Sequence, residues 1–201
     1  MVENPQRKSI LAPMSPLFAR ASDVTQRVSL KEISFHGHIN LRGTASDKNF
    51  RDIVEEVVGC ELPNIPNTYN KAAAHECLWL APDEWLVVVP NNHRQQIYEA
   101  FLQRLSGIHS SVTDVSAYRS VIELAGPAAR EILAKGCTID FHPSVFPNNG
   151  CVQTLLARSQ ILIQLVDVET PIYKLFVRVS FARYVASWLL DALSEYELAP
   201  A

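Results

Sequence analysis

The amino-acid sequence predicts an α+β protein built mainly from antiparallel strands and amphipathic helices. Apolar residues recur with a period of two in some stretches and at helical spacing in the stretches that follow them. In addition, one order of strand, helix, cysteine and proline-containing loop occurs in both halves of the chain. We therefore predict two similar β-α-β-β-α units that arose by internal duplication.

Composition places the 201-residue chain among ordinary globular proteins, with 48% hydrophobic and 19% charged residues. A net charge of −3 gives no basic surplus of the kind that binds nucleic acid or an anionic membrane. The apolar runs are far shorter than the roughly 20 residues of a spanning helix. Prolines also interrupt the N-terminus where a signal peptide would be apolar. We expect a soluble cytoplasmic protein.

The N-terminal segment, residues 1–23, carries three prolines and little periodicity, so we predict an extended arm. Leu17 and Phe18 are too apolar for a solvated tail. The arm is therefore expected to lie on a surface, either of this chain or of a partner.

The first strand is predicted over residues 33–43, ISFHGHINLRG, where apolar and polar side chains alternate. His36, His38 and Arg42 share its polar face. Two histidines at this spacing could belong to a metal site, but zinc needs further ligands and the chain offers no obvious supplier. We interpret the polar face as solvated or directed at a partner.

Two amphipathic helices are predicted in the first half, over residues 44–59 and 91–107. Asp47 suits the first turn of the earlier helix, and Gly59 suits its C-terminal cap. Gly107 is predicted to end the later helix in the same way.

Between these helices, LWLAPDEWLVVVP at residues 78–90 predicts two strands joined by a tight turn. Asp83 and Glu84 in this turn could be an acid/base pair. Adjacent side chains diverge, however, whereas a working pair of carboxylates must converge on one substrate. We therefore favour a hairpin tip without catalytic function.

The second half repeats the order of elements. It predicts a strand, a short helix, a hairpin, a further strand and a final helix, over residues 113–126, 126–136, 151–167, 172–179 and 180–193. Gly43 and Gly126 take equivalent places in the two halves, as do Cys60 and Cys137. Two unrelated α+β halves could look alike by chance, but duplication is favoured. After the arm we predict one α+β domain, 24–201, with subdomains at about 24–107 and 108–196.

Motifs for independent catalysis are missing from the sequence. It contains no G-x-G, no G-x-S-x-G and no H-E-x-x-H. The four cysteines form no C-x-x-C pair and are expected to be buried, reduced thiols. Asp114 and Ser116 could contact a ligand, or they could satisfy backbone groups where a chain enters a sheet, which local chemistry favours.

An ordered set of segments carries a family resemblance from about Ser15 to Leu193. The set includes LPNIPN, LWLAPDEWL, DVSAYRSVIELAGPAAREILAKGC, DFHPSVFP and VSFARYVASWLLDAL. It resembles the gamma subunit of heterotetrameric sarcosine oxidase. More distantly, DVS followed by GPAA is similar to the folate-dependent aminomethyltransferase of glycine cleavage, which implies an aminomethyltransferase-like fold. That family engages folate through a carboxylate after its first hairpin. The comparable hairpin here, TLLARSQILIQLV, has no acid.

The resemblance implies a non-catalytic subunit of a complex that oxidises sarcosine to glycine and hydrogen peroxide. It implies that tetrahydrofolate receives the one-carbon unit, and that alpha, beta and delta partner subunits hold FAD, FMN, NAD and zinc. This chain would carry no cofactor and would support assembly, with sizeable apolar patches when isolated. We predict that its partner interface includes Leu17, Phe18, His36, His38 and Arg42.

Two other functions stay open from the sequence. One is a freestanding folate-binding or aminomethyl-transferring enzyme, for which Asp114 is the only acid that could face the pterin. The other is a small-molecule binding module, which would be a stable monomer with an enclosed pocket.

Overall fold

A computed structural model describes residues 7–25 and 27–197 of the chain. Two five-stranded sheets pack face to face, and helices cover the outer face of each sheet. A short 3₁₀ helix, Ala12–Met14, precedes the first α-helix. The α-helices are α1 Ser15–Thr25, α2 Lys48–Val58, α3 Arg94–Arg104, α4 Ala129–Gly136 and α5 Val179–Glu197.

The strand pairs that build both sheets are antiparallel. The first sheet has the order β1-β7-β10-β9-β8, and the second has the order β3-β4-β5-β2-β6. The strands in the first half are β1 Ser29–Ile33, β2 His36–Gly43, β3 Tyr69–Ala72, β4 His75–Ala81 and β5 Glu84–Pro90. Those in the second half are β6 Ser110–Asp114, β7 Arg119–Ala125, β8 Cys151–Leu156, β9 Ser159–Asp167 and β10 Ile172–Arg178.

The two halves repeat the same order of elements, β-β-α-β-β-β-α, after α1. Read from the strand that opens a half, the sheet orders β1-β7-β10-β9-β8 and β6-β2-β5-β4-β3 are equivalent. The opening strand of each half, however, lies in the sheet of the other half: β1 pairs with β7, and β6 pairs with β2. The prediction of two similar units is confirmed, and the structure adds that they exchange their first strands.

Each unit holds more strands than the sequence pattern predicted. β3 is only four residues long and mostly polar, so it gives no clear alternation. The single strand predicted over residues 33–43 is divided between two strands. β1 ends at Ile33, Phe35 has a φ of 60°, and β2 begins at His36. The stretch 113–126 is likewise broken, since a turn at residues 115–118 separates β6 from β7.

The predicted extended arm, residues 1–23, is wrong from Ser15 onward, where the chain forms helix α1, and its residues 1–6 lie outside the described residues. Pro16 lies in the first helical turn, where a missing N–H breaks no intrahelical hydrogen bond. Phe18 and Ala21, three residues apart, are buried against the first sheet, whereas Leu17 points outward with 49% exposure. Burial of that apolar stripe explains why the segment is helical despite its prolines.

Three apolar clusters fill the layers of the protein. Helices α1, α4 and α5 cover the first sheet with residues such as Ile132 and Leu189. Helices α2 and α3 cover the second sheet, where Phe50 packs near the fully buried Trp85. The third cluster lies between the sheets and contains Leu78, Leu86, Val121, Leu162 and Phe176.

A buried ion pair also joins the two sheets. Lys174 Nζ on β10 lies 2.9 and 3.1 Å from the carboxylate oxygens of Glu76 on β4. Gln164 on β9 donates to the same carboxylate at 3.2 Å, and half-exposed Lys71 lies 3.6 Å away. Polar chemistry therefore fixes the two sheets relative to each other as well as apolar packing.

Candidate functional site

The turn between β6 and β7 anchors the region that the sequence marked for possible chemistry. The backbone N–H of His38 donates to Ser116 Oγ at 2.9 Å, and Val115 N–H donates to the His38 carbonyl at 2.8 Å. The Ser116 hydroxyl donates in turn to Asp114 Oδ1 at 2.5 Å. This turn therefore locks the end of β6 onto β2.

Asp114 is occupied by groups of its own chain. Its Oδ1 accepts from both the N–H and the hydroxyl of Ser116, and its Oδ2 accepts from Arg94 at 2.9 Å. Burial alone would raise the pKa of Asp114, but the Ser116 hydrogen bonds and the Arg94 charge lower it overall. The carboxylate is thus ionised and structurally engaged at neutral pH, as the backbone-satisfying interpretation predicts.

The polar face of β2 turns inward toward the first sheet. His38 is only 2% exposed, and its ring lies edge-on to Phe176 at 5.7 Å. Within the described residues neither of its ring nitrogens has a hydrogen-bond partner. Burial, followed by the nearby Arg119 charge, lowers the pKa of His38 to about 3, so the ring is neutral. The interpretation of this face as solvated is therefore wrong at His38, because a second sheet covers it.

His36 is half-buried at the edge of the same face. Burial and then the Lys174 charge lower its pKa, and its Nδ1 also has no partner in the described parts of the chain. Arg42, farther along β2, remains exposed and donates to Glu84 Oε2 at 2.6 Å. Asn40 donates to the other oxygen of Glu84 at 2.7 Å.

These bonds decide the role of the APDE turn. β4 and β5 pair on either side of it, so the predicted hairpin is confirmed. Glu84 is held by Arg42 and Asn40, while Asp83 is exposed at the tip and its carbonyl accepts from Gly43 N–H. The two carboxylates therefore do not converge on a common site.

Of the two apolar residues predicted to face a partner, only Leu17 is available. Phe18 is 2% exposed and belongs to the core beneath α1, so an interface role for Phe18 is not compatible with this structure. Other large apolar side chains are also exposed, and Phe181 and Tyr184 share a face of α5. The exposed set is Leu17, Phe35, Ile65, Leu102, Tyr118, Val145, Leu155, Phe181 and Tyr184.

The cysteines are buried and free of disulfides. Burial raises the pKa of Cys137 and of Cys151 to about 12, so neither is a thiolate at neutral pH. Cys60 and Cys77 lie close together, with their sulfurs 3.6 Å apart. Among residues 7–25 and 27–197, no group of three or more His, Cys, Asp or Glu side chains could hold a metal ion.

Two clefts have Arg119 as a shared lining residue. One, of about 490 Å³, is bordered by His36 and His38 and by basic side chains from β7, α5 and the N-terminal segment. The other, of about 460 Å³, is bordered by Tyr118, Gln153 and Arg178. The sequence pattern missed this grouping, because its residues come from distant parts of the chain and share no spacing.

No helix in the described part of the chain is long and apolar enough to cross a membrane. The fold defines the structural class of the protein. The chain superimposes on aminomethyltransferase T of the glycine cleavage system from Bartonella henselae with a TM-score of 0.59. The two share 14% identity, and the match covers 85% of this chain and 48% of the other. The protein therefore has an aminomethyltransferase-like fold.

Sequence comparison then identifies the family. The family model described as sarcosine oxidase, gamma subunit family matches residues 42–195. A sarcosine oxidase subunit gamma from Corynebacterium sp. (strain P-1) is 32% identical over 174 residues, which cover 86% of this chain and 83% of that protein. One from Arthrobacter sp. is 31% identical over 170 residues, covering 84% and 81%. The chain belongs to the sarcosine oxidase gamma subunit family.

A solved structure agrees with this assignment. A chain of the heterotetrameric sarcosine oxidase from Corynebacterium sp. U-96, determined in complex with pyrrole 2-carboxylate, matches with a TM-score of 0.87 and 28% identity. The match covers 97% of this chain and 98% of that one. The two chains therefore share their fold over nearly their whole lengths.

Proposed function

We propose that this chain is the gamma subunit of a heterotetrameric sarcosine oxidase and that it supports assembly without catalysing a step itself. The observation that carries the proposal is the match over 97% of the chain to a solved sarcosine oxidase chain. In this proposal the complex converts sarcosine to glycine and hydrogen peroxide and passes a one-carbon unit to tetrahydrofolate. Alpha, beta and delta subunits hold FAD, FMN, NAD and zinc.

The state of the chain's own reactive groups supports a non-catalytic role. Asp114 is saturated by Ser116 and Arg94, and Glu84 is held by Arg42 and Asn40. A general acid or base needs a carboxylate that can reach substrate. Neither of these carboxylates has an unengaged oxygen to offer.

Among the residues that we propose for the partner interface, Leu17 has the most structural support. It is 49% exposed on α1, next to a helix face that is already anchored by Phe18. Interfaces bury apolar side chains of this kind, so Leu17 is the apolar candidate that remains from the predicted set. His36 and Arg42 remain interface candidates at the edge of β2, whereas His38 and Phe18 are enclosed within the chain.

The test is co-expression of tagged chain with the other subunits, followed by quantification of what co-purifies. Leu17→Asp is expected to reduce partner recovery at least tenfold, because it places a charge in an apolar contact. Leu17→Met is the matched control and should recover partners like the wild type. Full recovery with Leu17→Asp would remove Leu17 from the interface. Failure of the wild type to retain any partner would contradict the subunit role.

A freestanding folate enzyme is the competing function, since the aminomethyltransferase-like fold is shared. It requires tetrahydrofolate to bind the isolated chain through Asp114. Titration of the full chain with tetrahydrofolate, followed by tryptophan fluorescence, separates the two. We expect no saturable binding. Saturable binding that Asp114→Asn abolishes would favour the enzyme.

We also propose a cytoplasmic location. Support comes from cysteine usage, because four cysteines in 201 residues do not form the dense disulfide framework typical of small secreted proteins. Fractionation of the native cells, with detection of this chain by a specific antibody, tests the location.

A further inference from the structure

A local excess of positive charge distinguishes the cleft beside β2. Four basic residues border it, namely Arg7, Lys8, Arg119 and Arg183, although the whole chain has a net charge of −3. Glu32 is the one acid among its lining residues, and it accepts a hydrogen bond from Ser9. The basic side chains therefore outnumber the acids in a chain whose overall balance is acidic.

The four cations form no salt bridge within the described residues, although the charges of Arg7 and Arg119 help to lower the pKa of Asp114 and of Glu84, respectively. Arg7 donates to the Asn91 side chain, and Arg183 donates to a backbone carbonyl. Arg119 lies over the Tyr118 ring at 4.9 Å. Cations that outnumber the acids around one concavity attract an anion from outside the chain.

Three buried imidazole nitrogens at the same cleft point to a missing partner. His38 is only 2% exposed, and both of its ring nitrogens lack a hydrogen-bond partner within residues 7–25 and 27–197. His36 Nδ1 is in the same situation. Buried polar groups are nearly always hydrogen-bonded, so such groups mark places where a ligand can restore a hydrogen bond. A neutral imidazole provides one N–H donor for this purpose.

We infer that this cleft binds a small organic anion with two or more carboxylates, held by Lys8, Arg119 and Arg183 and contacted by the imidazoles of β2. Its volume of about 490 Å³ is within the range of small-molecule sites. Several cations around one concavity favour a multivalent ligand over a monovalent one, since each carboxylate can accept from a separate donor. This inference concerns the chain's own residues and does not rest on the proposed subunit role.

The test uses citrate as the probe and the full-length chain, by isothermal titration calorimetry at fixed ionic strength. We expect saturable binding of one citrate per chain. Arg119→Gln and Lys8→Gln should each weaken binding about tenfold. Arg51→Gln, an exposed cation on α2 of the other sheet, is the matched control and should bind like the wild type.

A spectroscopic readout locates the bound anion independently of affinity. Citrate should shift the imidazole nitrogen signals of His36 and His38 in NMR spectra of ¹⁵N-histidine-labelled chain. The signal of the exposed His109 should stay unchanged and is the internal reference. Absence of citrate binding would overturn the inference. So would equal binding by Arg119→Gln, Lys8→Gln and the control Arg51→Gln. Tight binding of inorganic phosphate with none of citrate would overturn the carboxylate assignment.

The source of the carboxylate is decided by repeating the titration on the assembled complex. Binding by the complex that Arg119→Gln abolishes supports a free small molecule. Binding by the isolated chain that disappears in the complex would assign the cleft to a partner's acidic side chain and overturn the small-molecule assignment.

Discussion

Replacement of Glu76 by glutamine tests whether the buried ion pair between the sheets has the role that the structure gives it. The Glu76 side chain is 6% exposed and that of Lys174 is 17% exposed, so solvent screens the pair weakly. Glu76→Gln keeps the shape but removes the negative charge and leaves the Lys174 ammonium without a counter-ion. Loss of one partner of a buried pair costs about 3–5 kcal/mol. We expect the free energy of unfolding to fall by that amount.

Urea unfolding of the full chain, followed by circular dichroism, measures this change. The double variant Glu76→Gln/Lys174→Met also removes the orphaned ammonium and should be more stable than Glu76→Gln alone. Lys71→Gln is the control, because Lys71 is half-exposed and 3.6 Å from the carboxylate, and it should cost less than about 1 kcal/mol. A loss below about 1 kcal/mol for Glu76→Gln, or purely additive losses in the double variant, would refute the reasoning.

Three further changes have expected effects on unfolding measured in the same way. The pKa of His38 is lowered to about 3 from 6.5, so the unfolded chain takes up a proton first as the pH falls. Stability should therefore decline below pH 6.5 by up to about 1.4 kcal/mol per unit, and His38→Leu should flatten this decline. Gly126→Ala should cost more than Gly107→Ala: both glycines have a positive φ, of 124° and 85°, but only at Gly126 would a Cβ lie 2.4 Å from the Arg27 carbonyl oxygen. Asp47→Ala removes the N-cap of α2 and should cost about 1 kcal/mol. Equal slopes, equal glycine costs or an unchanged Asp47→Ala stability would contradict the respective assignment.

Local signals in the sequence predicted the local features of the fold. Asp47 caps α2 by accepting from two backbone N–H groups, and Gly59 ends the helix with a φ of 86°. The APDE turn joins two paired strands. Each of these features depends on a few neighbouring residues, whose preferences do not change with the rest of the chain.

Features that depend on distant parts of the chain were not predictable in this way. The alternation of β2 distinguishes its two faces, but it cannot say that a second sheet rather than solvent covers His38. The exchange of β1 and β6 between sheets depends on pairing across about half the chain, which no local pattern encodes. The basic cleft likewise combines Lys8, Arg119 and Arg183 from three distant elements.

The proposed role of the chain is that of one subunit of a larger oxidase. The most direct measurement is gentle purification of a tagged copy from its native cells, followed by its native mass, its visible spectrum and sarcosine-dependent peroxide release. We expect a complex several times heavier than the 22.5 kDa chain, with a flavin spectrum and peroxide formed only when sarcosine is added. A colourless species of 22.5 kDa without that activity would contradict it.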